Sequence, residues 1–198
     1  KGFAGVVPVV PVMQSVIDRL DGVTTLLLCG SCARTDELCG RLLADGGAAG
    51  RTVLWVSFGQ SPSECLDDTV AADADRAVLA VGTTPTGERE DDVTVEVIST
   101  PSDLAALGIK LSQFIAETDG ELTVCFDSLT ELLGHVAVET AYEFLHTVTR
   151  QCYLADARAH FHLDPTAHDA QTVASITSLC DARVDLDNTS PVRIRNGR

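Results

Sequence analysis

A chain of 198 residues with 45% hydrophobic content is long enough for one domain with a real core and too apolar for disorder. Its formal net charge is -15, from 29 acidic against 14 basic residues, and the only lysines are Lys1 and Lys110. That balance excludes tight nucleic-acid binding, which needs clustered Lys and Arg against phosphates. An acid-rich, lysine-poor surface keeps a protein solvated in molar salt, so a halophilic archaeal origin is expected.

The apolar stretch from Phe3 to Met13 is short and carries Pro8 and Pro11, which argues against a membrane span. It also lacks the cationic start and clean apolar run of a signal peptide, so a cytoplasmic location without a membrane partner is expected. Lys1 in place of methionine suggests trimming or an upstream segment. Seven cysteines, an odd number spread over predicted strands and helices, read as buried free thiols rather than a disulfide framework.

Along the chain, apolar runs alternate with helical patterns. The predicted strands are Thr24–Cys29, Thr52–Phe58, Ala77–Val81, Thr94–Ile98, Leu122–Phe126, Arg158–Leu163, Ala182–Leu186 and Val192–Arg195. Several are continuously apolar, as parallel strands covered on both faces are. Ser61-Pro-Ser-Glu64 is a capping box with proline at the first helical position, and Thr100-Pro-Ser-Asp103 repeats the cap-plus-proline pattern. After it, Leu104, Leu107, Leu111, Phe114 and Ile115 form one helical stripe. Val138, Tyr142, Leu145, Val148 and Cys152 mark another face, and Asp164-Pro165 is expected to start a helix carrying Val173 and Ile176. Residues 82–92 read as a polar loop or hairpin connection. The pattern predicts one α/β domain over residues 1–198 with a mainly parallel sheet, a lead-in at 1–22 and a basic closing strand at 191–198.

Ligands of an open parallel sheet bind beyond the carboxyl ends of its strands. Four loops are expected there: Gly30–Thr35, Gly59–Ser61, Asp127–Thr130 and Leu163–Thr166. The first is where a phosphate loop belongs, and Gly30 fits its first glycine. A working loop reads G-x-x-x-x-G-K-[ST]. Counted from Gly30, the last three places hold Thr35, Asp36 and Glu37, so two carboxylates would face a triphosphate with no lysine to offset them. Arg34 supplies charge from a different position.

The strand Val53-Leu-Trp-Val-Ser-Phe58 runs into Gly59-Gln60, and Val124-Cys-Phe-Asp127-Ser-Leu-Thr130 is an apolar strand ending in an aspartate. Val184-Asp-Leu-Asp187, a turn, and Val192-Arg-Ile-Arg-Asn-Gly-Arg198 close the chain. In order and spacing, from Val23 to Arg198, these segments resemble a RecA/KaiC-type ATPase domain, and the chain resembles the degenerate members of that superfamily common in haloarchaea. The resemblance implies a three-layer RecA/KaiC-like fold. In that family two glutamates at the places of Gly59 and Gln60 activate the attacking water, and an aspartate at the place of Asp127 holds Mg²⁺ through water. Basic residues at places like those of Arg193, Arg195 and Arg198 reach toward a nucleotide on a neighbouring subunit. Here the glutamate pair and the phosphate-loop lysine are missing. An aspartate at a strand end also often caps the next turn.

Two other patterns compete. Cys29-Gly-Ser-Cys32 is a C-x-x-C at a strand-to-helix junction, the setting of thioredoxin-like redox sites, although no tryptophan precedes it. His160-Phe-His162-Leu-Asp164, with His168 beyond, has the H-x-H-x-D alternation of metallohydrolase ligands, since residues i and i+2 share a strand face. Pro165 stands where such enzymes carry a further histidine. His135 and His146 show no paired spacing, so no metal site is assigned; His160 and His162 are expected along one strand face, Asp164 as a helix cap and His168 in that helix's first turn. No nucleophile-elbow glycines flank Ser31 or Ser128.

The sequence therefore favours a non-catalytic regulatory or scaffolding protein, signalling-related, a pseudo-ATPase that works through a protein partner or self-association without a cofactor. The alternative is a divergent nucleotide-binding protein or slow ATPase with ATP and Mg²⁺, using Gly30, Ser31, Arg34, Thr35 and Asp127, with Arg195 from a neighbour.

Overall fold

Continuous apolar runs build the centre of the protein. Leu27 and Leu28 are adjacent and both 0% exposed, which requires cover on both faces of their strand. The computed structural model describes residues 9–44, 50–59, 74–83, 93–187 and 192–195, with the side chains of 9–13 and 32–34 excepted. In chain order these form α1 (Val9–Asp18), β1 (Thr25–Cys29), α2 (Cys32–Ala44), β2 (Arg51–Phe58), β3 (Asp75–Val81) and β4 (Val93–Ile98). Next come α3 (Leu104–Glu117), β5 (Glu121–Asp127), α4 (Leu129–His135), α5 (Val138–Leu154) and β6 (Arg158–Leu163). A 3₁₀ turn (Pro165–Ala167), α6 (Ala170–Thr177), β7 (Ala182–Asp185) and β8 (Val192–Ile194) complete the series.

The eight strands form one sheet in the order β4-β3-β2-β5-β6-β1-β7-β8. All pairings are parallel except β7 with β8, where Ala182 faces Ile194 and Val184 faces Val192. The protein is thus α/β with a mostly parallel sheet, and every predicted strand is present to within two residues of its expected ends. Alternation divides the core. Leu54, Leu79, Val124, Phe126 and Phe161 face one layer, where Leu107, Leu132, Leu145 and Val148 cover them. Leu26, Leu28, Trp55, Val78 and Cys125 face the other, against Leu38, Cys39 and Leu43 of α2 and Val16 of α1. Phe126 sits between Phe58 and Phe161, with ring centroids 5.5 and 5.8 Å away.

Several local expectations are corrected. The lead-in contains α1, whose Pro11 falls in its first turn, where no intrahelical N–H bond is lost. The cap of α3 is Asp103, not Thr100: its carboxylate accepts from Ala106 N at 2.9 Å, while Thr100 closes a preceding turn by accepting from Asp103 N. Asp164 caps only the 3₁₀ turn, and Asp169 starts α6, which carries the buried Val173 and Ile176. His168 lies between the two, outside α6. The helical stripes are as expected, with Leu107 and Leu111 of α3 and Leu145, Val148 and Cys152 of α5 buried. The box at Ser61–Glu64, Gln60, residues 84–92 and Arg198 lie outside the described residues. Among the described residues no helix is long and apolar enough to cross a membrane.

Candidate functional site

At the carboxyl edge of the sheet, β1 ends at Cys29 and α2 begins at Cys32, leaving only Gly30 and Ser31 between them. The Gly30 N–H donates to Leu163 O at 3.2 Å, so it is already committed to β6. A side chain at Gly30 would meet Leu186 Cβ at 3.3 Å and an Asp187 carboxylate oxygen at 3.9 Å. Ser31 is exposed, while Thr35 is buried inside α2, its hydroxyl within 3.4 Å of Ser31 O. Arg34 belongs to the first turn of α2, its side chain lying outside the described residues.

Asp127 ends β5, beside Ser57 of β2. The peptide to Ser128 is cis, and Ser128, not Asp127, caps α4 by accepting from Glu131 N. Asp36, Asp127 and His162 bring one ligand atom each within 4.8 Å of one another. Gly59 has φ 75° and donates to Val81 O.

Arg195 is not part of this edge. Its N–H pairs with Asp181 O, and its guanidinium donates to Ser178 O, at the amino end of β7. β1 and β7 run parallel, so Arg195 and Gly30 lie at opposite ends of the sheet, a separation of about 16 Å along a five-residue strand. Within one chain, Gly30, Ser31, Thr35 and Asp127 lie along this edge, with β6 between the strands ending at Cys29 and Asp127, and Arg195 does not join them. It lines a groove of about 470 Å³ with Tyr142, Arg150 and Tyr153. At its rim Tyr153 and Leu154 are 63% and 72% exposed.

A second grouping lies just below the carboxyl edge, in the α2 layer. Cys125 on β5 is directly opposite His160 on β6, and His162 follows on the same strand face, as its spacing predicts. Cys39 of α2 covers them. Its Sγ lies 3.3 Å from Cys125 Sγ and 3.1 Å from His160 Nε2, and Cys125 Sγ is 3.7 Å from His162 Nε2. All four are buried, with their ligand atoms within 4.8 Å of one another. The two imidazoles stack at 5.7 Å. His162 Nδ1 is buried without a hydrogen-bond partner and points to Asp127 Oδ1 at 3.5 Å, ion-pair rather than hydrogen-bond distance.

The electrostatics couple these groups. The contact with Cys125 lowers the Cys39 thiol well below its usual range, against burial and with help from the charge of His160. Burial lowers His162, but Asp127 and Cys39 outweigh it and raise the imidazole. Asp164 stands apart, its carboxylate taken by Thr166 N and Oγ1 at 2.8 and 2.7 Å. The sequence pattern identified the two histidines; Cys39 and Cys125 carried no local signal.

The C-x-x-C reading meets an obstacle at its first cysteine. Cys29 points into the opposite core layer, and burial pushes its thiol up to about 12 despite Arg183 nearby. A redox thiol needs the reverse shift.

Residues 22–186 match a family described as a family of unknown function (DUF7504). A solved structure of a Pyrococcus horikoshii OT3 protein, from a structural study, is similar with a TM-score of 0.59. It covers 90% of this chain and 90% of its own at 13% identity, a likeness of fold alone. No curated protein matches the chain.

Proposed function

The chain belongs to the DUF7504 family, and from that premise we propose that it is a non-catalytic regulatory or scaffolding domain of RecA/KaiC-like descent, acting through a protein partner or a second copy of itself. One observation carries the reading: the two-residue passage from β1 to α2. A phosphate cradle needs several consecutive backbone N–H groups turned toward the anion and a lysine to neutralise it. Here the Gly30 N–H is spent on Leu163, Leu186 fills the space over Gly30, and Asp36 and Asp127 put negative charge where phosphate charge would come. The sequence resemblance supplies the RecA/KaiC part of the proposal. The β1-to-α2 junction, the aspartate ending β5 and the antiparallel β7–β8 pair support that reading. The acidic, lysine-poor composition supports a halophilic setting in the cytoplasm.

Calorimetric titration with Mg·ATP and Mg·ADP in high KCl tests this. The expected result is no heat and no thermal shift at millimolar nucleotide. Micromolar binding that is lost in Gly30→Val and Asp127→Ala would replace the proposal with a divergent nucleotide-binding protein.

A further inference from the structure

We propose that Cys39, Cys125, His160 and His162 form a structural site for one tetrahedral zinc ion, with Asp127 as the carboxylate that orients His162. The inference does not depend on the reading above. It starts from burial: these four residues are 7%, 1%, 3% and 4% exposed, and polar side chains that far from water are found satisfied. The contacts among them run through sulfur. Thiols are weak hydrogen-bond partners, and His162 Nδ1 has none.

A dication fits among the two sulfurs and the two Nε2 atoms, and His162 Nδ1 stays with Asp127. Zn–S bonds of about 2.3 Å and Zn–N bonds of about 2.0–2.1 Å put tetrahedral ligand atoms roughly 3.3–3.8 Å apart. The Sγ–Sγ, Sγ–Nε2 and second Sγ–Nε2 distances of 3.3, 3.1 and 3.7 Å lie within a few tenths of an ångström of that range. Both imidazoles turn Nε2 toward the thiols. Two thiolates, two neutral imidazoles and Zn²⁺ sum to zero charge, so the interior holds no net ion. Binding releases the protons those ligands carry. An S₂N₂ donor set selects zinc over magnesium or calcium, and four protein ligands leave no open position, which marks a structural rather than catalytic ion.

The shell around the donors fits. His162 Nδ1 faces the Asp127 carboxylate at 3.5 Å, the carboxylate–histidine–metal relation that fixes a ring's orientation. A cavity of about 350 Å³ reaches His160, with Asp18, Asp21 and Arg158 in its lining. The ligands come from α2, β5 and β6, so the ion would clamp α2 onto the middle of the sheet.

The test uses the 198-residue chain, expressed without an affinity tag, analysed for metal as isolated, then reduced, stripped with a chelator, and titrated with Co²⁺ and then Zn²⁺. Expected are one metal per chain by elemental analysis and tetrahedral Co²⁺ bands with thiolate charge-transfer absorption, bleached by equimolar Zn²⁺. A chelator should expose two further thiols to Ellman's reagent and lower Tm. Cys125→Ser and His160→Ala should lose the bands and Cys152→Ala keep them. Asp127→Asn should bind about 10–100-fold more weakly. If the cluster variants do not fold, the wild-type spectrum and thiol count decide alone. A folded chain that gives no thiolate–cobalt bands, or that is isolated metal-free with a Cys39–Cys125 disulfide, overturns the proposal.

Discussion

Cys125 and His160 face each other across the β5–β6 pairing, and that single register decides what the α2 side of the sheet can do. Shifted by one residue, a strand turns its side chains to the other face. Val124 and Phe126 would then face α2, and Cys125 would enter the aromatic core.

That core gives the first prediction. Phe126 is fully buried between Phe58 and Phe161. Phe126→Ala should cost about 3–5 kcal/mol, read as a lower midpoint in denaturant unfolding. A loss under 1 kcal/mol would mean that the rings do not pack as described.

Gly120 precedes β5 with φ 106°, and a Cβ there would collide with Gly50 O. The obstacle is backbone, which cannot swing aside. Gly120→Ala should therefore destabilise by about 1–3 kcal/mol, whereas Gly134→Ala, in α4 with open space around it, should be neutral or better. Thermal unfolding of the two variants compares them directly.

Burial pushes the thiols of Cys29, Cys152 and Cys180 up to about 12, from an ordinary value of 9.0. A raised acid pKa means that the folded state holds protons the unfolded state has released. Their contribution is fully present below pH 9 and is lost as pH rises from 9 toward 12. Stability should fall across that window by circular dichroism. Near pH 8 in the native state these three thiols should alkylate far more slowly than a model thiol. Rapid labelling of any of them would show that its site opens.

With a formal charge of -15, the folded chain repels itself at low ionic strength. Salt shortens the screening length from about 10 Å at 0.1 M to about 3 Å at 1 M. Tm should rise steadily in KCl up to multimolar concentrations. A Tm indifferent to KCl would remove the argument for a halophilic protein.

The sequence by itself determined the strands, because parallel strands buried on both faces are written as continuous apolar runs such as Leu26–Cys29 and Val53–Val56, a local signal. It also determined the helical stripes on α3 and α5, and the side-by-side placement of His160 and His162, which follows from a period of two. Caps were less legible. Thr100, Asp103, Asp164 and Asp169 can all cap, and choosing among them depends on where each preceding turn docks. Only the tertiary structure decided that Arg195 stands at the opposite end of the sheet from Gly30, because β8 returns antiparallel. It alone brought Cys39 to His160 across 121 residues and to Cys125 across 86. Those meetings depend on strand order, on the β5–β6 register and on the seat of α2, all set by packing between distant segments, which no local pattern of residues encodes.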